Sequence, residues 1–303
     1  MPLTAFYDLP APAKLNTFLH VVGRRADGYH LLQSLFVLID WVDVLHIERR
    51  DDGALHRHDL GAALPADDLT LRAARALQQA SGTSLGADIH LDKRVPWAAG
   101  LGGGSSDAAT VLLGLNRLWR LNWPRERLLA LATTLGADVP FFVGGHNAFV
   151  EGIGERLTPV EVPRQWLAVV KPAAGLATAD VFTHPALVRD TPAVILTSFL
   201  ADASKPGFWA SRNGEAWGRN DLQPVAEDRC PEAVQAAEWL QRHFGNSRMT
   251  GSGSAVFARS GLLEQGMNDP PWATWPADDP LAPGWVGRMC RSLAQHPLAG
   301  WAS

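Results

Sequence analysis

A glycine-rich stretch is the part of the chain best suited to bind a phosphate. Four of the five residues from Gly100 to Gly104 are glycine, and Ser105 and Ser106 follow directly. Glycine lets backbone N–H groups turn toward a ligand from conformations that other residues avoid. A helix that begins here adds about half a positive charge at its N-terminus. The pattern therefore predicts an anion-binding loop at a helix N-terminus.

This loop differs from two common phosphate-binding patterns. A Walker loop needs a Gly-Lys pair, and the sequence contains none. A dinucleotide-binding fingerprint that starts at Gly100 would need glycine or alanine where Ser105 stands. A flexible linker is the remaining structural interpretation, but a predicted strand precedes the loop and a predicted helix follows it. The loop by itself predicts phosphate binding and does not name a reaction.

Phosphoryl transfer also needs a positive charge near the transferred group and a carboxylate that orients the nucleophile. Lys14, at the start of a predicted strand, is the candidate ammonium, and Asp138 is the candidate carboxylate. Asp138 follows a predicted helix end and precedes an apolar run, so we expect it near the core. A carboxylate there needs an opposite charge or a functional role that justifies its burial. A capping aspartate and a surface lysine are the alternative interpretations.

Two aromatic residues stand inside polar segments. Tyr29 lies beside His30, and Phe182 follows a predicted helix cap at Thr178. Flat rings next to a histidine can sandwich and read a nucleobase. Packing in the core is the alternative for each ring.

Several histidines raise the question of a metal site. His46, His56, His58 and Asp59 fall close together, but the chain has no HExxH pattern. A histidine-rich hairpin tip is the favoured interpretation, and no metal site is predicted.

The periodicity of apolar residues predicts the elements that must position these groups. Alternating patterns predict strands and 3.6-residue patterns predict helices. An irregular excursion is expected over 262–284, where Pro, Trp and Asp are frequent. The predicted strands cover 14–22, 35–39, 42–48, 87–94, 166–170 and 255–258, with a hairpin over 147–160. One predicted helix begins at an Asp67 or Asp68 cap and ends at Gly82, and a second follows the glycine loop with Ala108 and Trp119 on its apolar face. Three more are predicted over 124–135, after a cap at Thr178, and over 231–244.

Composition places the chain among soluble globular proteins of two domains. The chain has 303 residues, of which 47% are hydrophobic and 19% charged. A net charge of −4 argues against a nucleic-acid partner. Neither a secretion signal nor a membrane span is found, and Cys230 and Cys290 lack metal-ligand spacing, so a cytoplasmic protein with reduced thiols is expected.

The motifs resemble a known superfamily. The segment PWAAGLGGGSSDAA resembles the glycine loop of the GHMP kinases, which include galactokinase, homoserine kinase and mevalonate kinase. More narrowly, PAKLNTFLHVVGRRADGYHLLQSLF, TLGADVPFFVGGHNAFVEGIGERLTPV and MTGSGSAVFA resemble the group that acts on 4-diphosphocytidyl-2-C-methyl-D-erythritol. These segments, with the tail GWVGRMCRSLAQHPL, cover nearly the whole chain.

The resemblance implies an α+β fold of two domains with the active site in the cleft between them. The N-terminal domain, 1–160, would be like domain 2 of ribosomal protein S5 and bind ATP. The C-terminal GHMP domain, 161–303, would bind substrate, with the tail 285–303 packed back on the first domain. The implied activity is ATP-dependent phosphorylation of the 2-hydroxyl of the methylerythritol moiety in the non-mevalonate isoprenoid pathway, by a monomer or weak homodimer.

The resemblance also implies site residues, position by position. Lys14 and Asp138 fall on the catalytic lysine and aspartate. The sequence shows no carboxylate pair dedicated to Mg²⁺, so the ion is expected to arrive mainly through the nucleotide phosphates and water. The implied ATP-binding residues are Pro96, Trp97, Ala98, Ala99, Gly100, Leu101, Gly102, Gly103, Gly104, Ser105 and Ser106, with Asp68 at an adenine contact where relatives often carry Asn. The implied substrate-binding residues are Asn16, Tyr29, His30, Thr178 and Phe182, and the turn 251–253 would also lie near the substrate.

Two other functions stay open at this point. Another GHMP enzyme, such as homoserine kinase or a diphosphomevalonate decarboxylase, would have no use for a base-stacking pair at Tyr29 and Phe182. A nucleotide- or sugar-binding regulator without turnover would have no need of both Lys14 and Asp138.

Overall fold

The computed structural model describes residues 3–203, 218–262 and 274–303. Within these ranges the chain forms two β-sheets and eight α-helices. No helix in the described ranges is both long and apolar enough to cross a membrane. The strands are β1 (Ala5–Arg24), β2 (His30–Arg50), β3 (Leu55–Asp59), β4 (Gly86–Asp92), β5 (Ala148–Gly152), β6 (Arg156–Pro159), β7 (Gln165–Lys171), β8 (Arg248–Met249), β9 (Val256–Leu262) and β10 (Val286–Arg291). The helices are α1 (Leu69–Ser81), α2 (Gly103–Leu118), α3 (Arg125–Ala132), α4 (Val139–Gly144), α5 (Thr178–Thr183), α6 (Leu196–Ala203), α7 (Gln223–Arg229) and α8 (Pro231–Phe244), and a 3₁₀ turn covers Ala299–Trp301.

β2 lies inside the first sheet because both of its edges are paired. One edge pairs with β1 in antiparallel register along almost the whole length of both strands. The other edge pairs with β5 through the first half of β2 and with β4 through the second half. β3 lies beyond β4 in parallel register, and β6 lies beyond β5. The β1–β2 ribbon is therefore the frame of the first sheet.

The two strands predicted over 35–39 and 42–48 are one strand with an irregularity. Pro12 faces Val42 on the partner strand, whereas the next residue, Ala13, faces Ile39. The two residues between Ile39 and Val42 are thus left out of the pairing, as in a β-bulge. One of them, Asp40, accepts a hydrogen bond from the backbone N–H of Arg291. A polar residue that breaks the apolar pattern here bends the strand without ending it.

Helix α2 is the central element of the first core. The prediction of a single apolar face is wrong, since almost every residue from Ser106 to Leu118 is buried and Arg117 is the exposed exception. The reason is that α2 packs on β1 and β2 on one side and on α1, α3 and α4 on its others. A helix enclosed in this way is buried all round.

The predicted ends of α1 agree with the structure, whereas those of α3 do not. α1 begins after Asp68, whose side chain accepts from the N–H of Leu71, and ends at Gly82 in the left-handed region, as predicted. α3 ends at Ala132, three residues before the predicted end, and Pro124 is its N-cap and not part of its first turn.

The second sheet has the order β10-β7-β9-β8. Its apolar face packs against α7 and α8, and Leu19 and Val21 from β1 belong to the same buried cluster. β1 therefore contributes side chains to the cores of both halves of the molecule. Of the predicted excursion, 263–273 lies outside the described residues. Trp275 stacks on Trp239 with ring centroids 5.3 Å apart, so this part of the excursion covers the second core.

The C-terminal segment crosses from the second sheet to the first core. After β10, the N–H of Leu293 donates to the carbonyl of Leu38, and Leu298 packs in the first core. Arg125 fixes this segment: its guanidinium donates to the carbonyl of Val143 at 2.6 Å, to that of Ala302 at 2.7 Å, and also to that of Ala299. One partly buried cation thus joins the end of α4 to the end of the chain.

We expect Arg125→Met to lower the free energy of unfolding by about 1.5–3 kcal/mol, because it removes hydrogen bonds from a charged donor and leaves buried carbonyls unpaired. Urea unfolding measures the change. Arg72→Met, which removes an exposed cation from α1, is the control and is expected to change stability by less than about 0.5 kcal/mol. Equal stability of the two variants would contradict this role of Arg125.

Candidate active site

One cleft of about 720 Å³ brings together residues that are far apart in the sequence. Its walls come from the β1–β2 ribbon, the glycine loop, the start of α4, and α5 with the segment that follows it. The predicted residues among its lining are Lys14, Asn16, Tyr29, His30, Gly100, Gly102, Asp138, Thr178 and Phe182.

Lys14 is a buried lysine on β1, with 3% of its surface exposed. Its Nζ donates to Asn16 Oδ1 at 2.5 Å and lies 3.6 Å from Asp138 Oδ2. The ammonium also lies over the ring of Phe36, 4.7 Å from its centroid. Burial lowers the pKa of Lys14, although Asp138 opposes the shift. The interpretation of Lys14 as an exposed strand residue is therefore wrong.

Asp138 stands directly before α4, at the position where an aspartate often caps a helix. Its side chain makes no capping hydrogen bond within the described structure. Instead its carboxylate, about 30% exposed, faces the cleft and the Lys14 ammonium. The side chain is thus available to a group bound in the cleft and is held by an opposite charge.

The glycine loop ends in the first turn of α2. Gly102 is the N-cap, with φ of 71°, and the N–H of Ser106 donates to its carbonyl. The N–H groups of residues 103–105 therefore have no partner within the helix, as at any helix start. A Cβ on Gly102 would lie 3.2 Å from the stem of Lys14, and a Cβ on Gly100 would lie 2.4 Å from the carbonyl oxygen of Thr250. Only glycine fits these two close approaches at positive φ.

A buried ion-pair cluster behind the loop was missed by the sequence analysis. Lys93 Nζ donates to Asp107 Oδ2 at 2.7 Å and also to Asp43, whose other oxygen accepts from the N–H of Arg94 and of Val95. Burial raises the pKa of Asp107 well above its ordinary range, Lys93 opposes the shift, and Asp43 adds to it. The cluster joins β2, the entrance to the loop and the second turn of α2. The presence of Lys93 as one of only four lysines was the available signal.

The aromatic half of the cleft lies at the other end of the β1–β2 ribbon. The rings of His30 and Phe182 lie 5.2 Å apart at 32°, and Tyr29 is 61% exposed. Arg189, which the sequence analysis did not identify, donates from Nε to His30 Nε2 at 3.0 Å and from Nη2 to the carbonyl of Phe182. Because Nε2 accepts, the proton of the neutral His30 ring lies on Nδ1. Burial lowers the pKa of His30, and Arg189 and Arg24 lower it further.

Asn16 and Thr178 are held by neighbours at the floor and the rim of the cleft. The amide of Asn16 donates to Ser34 Oγ at 2.9 Å, and its N–H donates to Thr250 Oγ1 at 2.8 Å. The predicted cap at Thr178 is wrong: Ala177 is the N-cap of α5, and the Thr178 hydroxyl bonds Ser252 Oγ at 2.8 Å. This contact joins α5 to the turn that was predicted near the substrate.

The remaining predicted nucleotide-binding residues lie beside the cleft. Asp68 caps α1 and pairs with Arg57 Nη1 at 2.7 Å, so its carboxylate is engaged by the protein. The next residue, Leu69, approaches Gly104 and is thus adjacent to the loop. Trp97 is 47% exposed, and Ala98 has a positive φ of 47°.

Two parts of the chain match one protein family. Residues 68–146 match GHMP kinases N terminal domain, and residues 203–261 match GHMP kinases C terminal. The first match contains the glycine loop and Asp138. The second contains the turn near Ser252.

Full-length relatives are similar over the whole chain. A 4-diphosphocytidyl-2-C-methyl-D-erythritol kinase of Methylibium petroleiphilum is 60% identical over 100% of both chains, and one of Polaromonas naphthalenivorans is 53% identical over 99% of this chain and 97% of the relative. A crystal structure of 4-(cytidine 5'-diphospho)-2C-methyl-D-erythritol kinase has a TM-score of 0.68 and 36% identity over 85% of this chain and 90% of that chain. A homoserine kinase from Cytophaga hutchinsonii has a TM-score of 0.64 at 15% identity over 97% of this chain and 96% of that chain, which shows a shared fold alone.

We expect Lys14→Met to raise the free energy of unfolding near pH 7 by about 0.5–2 kcal/mol, because it removes a buried charge. Since burial lowers the pKa of Lys14, the unfolded wild type holds this proton to higher pH than the folded protein. Wild-type stability therefore rises as pH rises through the folded-state pKa. The advantage of the variant should shrink between about pH 7 and about pH 10 in urea unfolding.

Arg72→Met, which removes an exposed cation, is the matched control and should show no comparable gain. If Lys14→Met is no more stable than the wild type near neutral pH, or if its gain in unfolding free energy does not change with pH, the ammonium is not destabilised by burial.

Proposed function

Because the chain belongs to the GHMP kinase family, and within it to the 4-diphosphocytidyl-2-C-methyl-D-erythritol kinases, we propose that it transfers the γ-phosphoryl group of ATP to the 2-hydroxyl of that cytidylyl-linked alcohol in the non-mevalonate isoprenoid pathway. One observation carries the mechanism. The Lys14 ammonium and the Asp138 carboxylate lie 3.6 Å apart in a cleft that the glycine loop also lines.

Asp138 is proposed to orient the substrate hydroxyl and to accept its proton. An ordinary aspartate is a weak base for an alcohol. The transition state of phosphoryl transfer is loose, so the hydroxyl loses its proton late and the demand on the base is small. A carboxylate that is partly exposed and free of a capping bond can accept the proton from a hydroxyl placed beside it.

Lys14 is proposed to stabilise the negative charge that develops on the transferred group or on the attacking oxygen. Asn16, Asp138 and the Phe36 ring fix its ammonium, so little reorganisation is needed when the charge develops. The low dielectric around a buried cation strengthens this interaction. The lowered pKa of Lys14 also makes proton transfer from it easier than from an exposed lysine.

The N–H groups of residues 103–105, which have no partner within α2, are proposed to bind the phosphates of ATP. The buried Lys93 cluster holds both ends of this loop and so keeps these groups in place before the nucleotide binds. Mg²⁺ bound to the nucleotide would supply neutralisation of the phosphate charge. Ser106 Oγ, which is buried without a hydrogen-bond partner in the described structure, is an oxygen of the chain that fits a hard cation of this kind.

The aromatic half of the cleft is proposed to recognise the cytosine ring. Tyr29 and Phe182 offer faces for stacking, and His30 offers the Nδ1–H that Arg189 fixes by occupying Nε2. This donor suits an acceptor on the edge of cytosine. Arg189 is thus a positioning residue for His30. A homoserine kinase acts on a substrate without a base, so this end of the cleft favours the cytidylyl substrate over that alternative.

The test is ATP-dependent turnover of 4-diphosphocytidyl-2-C-methyl-D-erythritol by the purified protein, compared with homoserine and mevalonate. We expect turnover of the first substrate alone. Asp138→Asn should lower kcat by about 10²–10⁴-fold, since it removes the proton acceptor, while ATP binding measured by calorimetry stays within about threefold.

Asp180→Asn, an exposed aspartate on α5, is the matched control and should keep wild-type kcat. Turnover of homoserine or mevalonate in place of the cytidylyl compound would overturn the substrate assignment. A fully active Asp138→Asn would remove this residue from the chemistry, and ATP binding without turnover of any substrate would favour a regulator.

We expect Tyr29→Ala to raise KM for the cytidylyl substrate by about 5- to 150-fold, which corresponds to a lost stacking interaction of about 1–3 kcal/mol. KM for ATP should be unchanged, and Tyr29→Phe should behave as wild type. Tyr7, the only other tyrosine, is 60% exposed on β1, and Tyr7→Ala is the matched control. Equal KM values for the two alanine variants would refute the stacking role.

A further inference from the structure

Histidines from the edge of the first sheet meet an aspartate on its solvent face. β3 is an edge strand that pairs with β4 in parallel register, with His56 opposite Asp88 and His58 opposite His90. The hairpin tip expected for these histidines is therefore wrong. Alternate residues of a strand share one face, so all four side chains lie on the same side of the sheet. Asp59 lies on the other side, where Arg57 pairs with it at 2.7 Å.

The donor atoms of three of these residues converge on one point. Asp88 Oδ1 lies 2.8 Å from His58 Nε2 and 3.3 Å from His56 Nδ1, and the three atoms lie within 4.8 Å of one another. Ligands at about 2.0–2.2 Å from a tetrahedral zinc ion lie about 3.2–3.6 Å apart. The observed separations need only small side-chain movements to reach this spacing.

Neighbouring side chains hold two of the three groups in position. Arg50 Nη1 donates to the second oxygen of Asp88 at 2.8 Å, so Oδ1 is the oxygen left to the histidines. The ring of His90 stacks on that of His58, with centroids 4.5 Å apart at 21°. Contacts of this kind orient the ligands of metal sites and tune their affinity.

We propose that His56, His58 and Asp88 form a binding site for a divalent transition-metal ion of the zinc class. Two imidazole nitrogens and one carboxylate oxygen suit Zn²⁺, Cu²⁺ or Ni²⁺, whereas Mg²⁺ and Ca²⁺ prefer oxygen ligands alone. The His56 and His58 side chains are 51% and 45% exposed, so water reaches the fourth position of a tetrahedral ion. None of the three residues lines the catalytic cleft, and the ion would tie β3 to β4 at the edge of the sheet.

Zinc titration of the untagged, metal-free chain tests this site. Zn²⁺ is added without nucleotide, in competition with a chromogenic chelator, and we expect one equivalent to bind. His58→Gln should weaken binding by more than about tenfold, since it removes a ligand directly, and Arg50→Met should weaken it by about tenfold through Asp88. His146→Gln removes an exposed histidine outside the cluster and should bind zinc as the wild type does.

A second measurement uses Co²⁺ in place of zinc. The wild type should give the visible d–d bands of a low-coordinate site with nitrogen ligands, and His58→Gln should lose them while keeping wild-type phosphoryl transfer, which shows that it is folded. Absence of zinc binding by the wild type would overturn the proposal. Equal zinc affinity of His58→Gln and His146→Gln would also overturn it, because the ion would then lie elsewhere.

Discussion

The burial of the Lys14 ammonium is the constraint on which the rest of the site depends. A charge taken out of water is costly unless it is paired and hydrogen-bonded. Asn16 beside it on β1, Asp138 at the start of α4 and the face of Phe36 offset part of this cost from three separate elements. The N–H of Lys14 also donates to the carbonyl of Leu101 in the glycine loop. The strand, the loop and α4 must therefore pack together before the lysine can stay charged, and this packing brings together the groups that we propose for phosphoryl transfer.

The β1–β2 ribbon makes this arrangement possible because it belongs to both halves of the molecule. Near its middle it carries Lys14, and further along β1 Leu19 and Val21 enter the second core. At the turn between the strands it presents Tyr29 and His30 to the cleft. The chain after β10 returns to the first core and is fixed there by Arg125. The walls of the cleft are thus held together by shared strands and by the returning C-terminal segment.

The two ends of the cleft offer different kinds of contact to a ligand. At the glycine loop, the proposed recognition rests on backbone N–H groups and on the absence of side chains at Gly100 and Gly102, which suits any phosphate. At the aromatic end, the proposed recognition rests on the rings of Tyr29 and Phe182 and on one tautomer of His30, which Arg189 fixes. Substrate choice is therefore expected to depend on the aromatic end of the cleft.

The sequence alone determined the elements with strong periodicity or clear caps, such as α1 between Asp68 and Gly82. It also named the glycine loop, Lys14 and Asp138 as candidates for phosphoryl transfer, and the structure brings them to one cleft. The proposed substrate came from resemblance to known proteins and not from local pattern. Tertiary structure alone decided that α2 is buried on all sides, that Thr178 bonds Ser252 and does not cap α5, and that Arg189 meets His30 from 159 positions away. It also brought Asp88 to His56 and His58 through a parallel strand pair. Local pattern reports the preference of a segment for helix or strand, whereas these contacts depend on sheet register and chain crossing, which no local pattern contains.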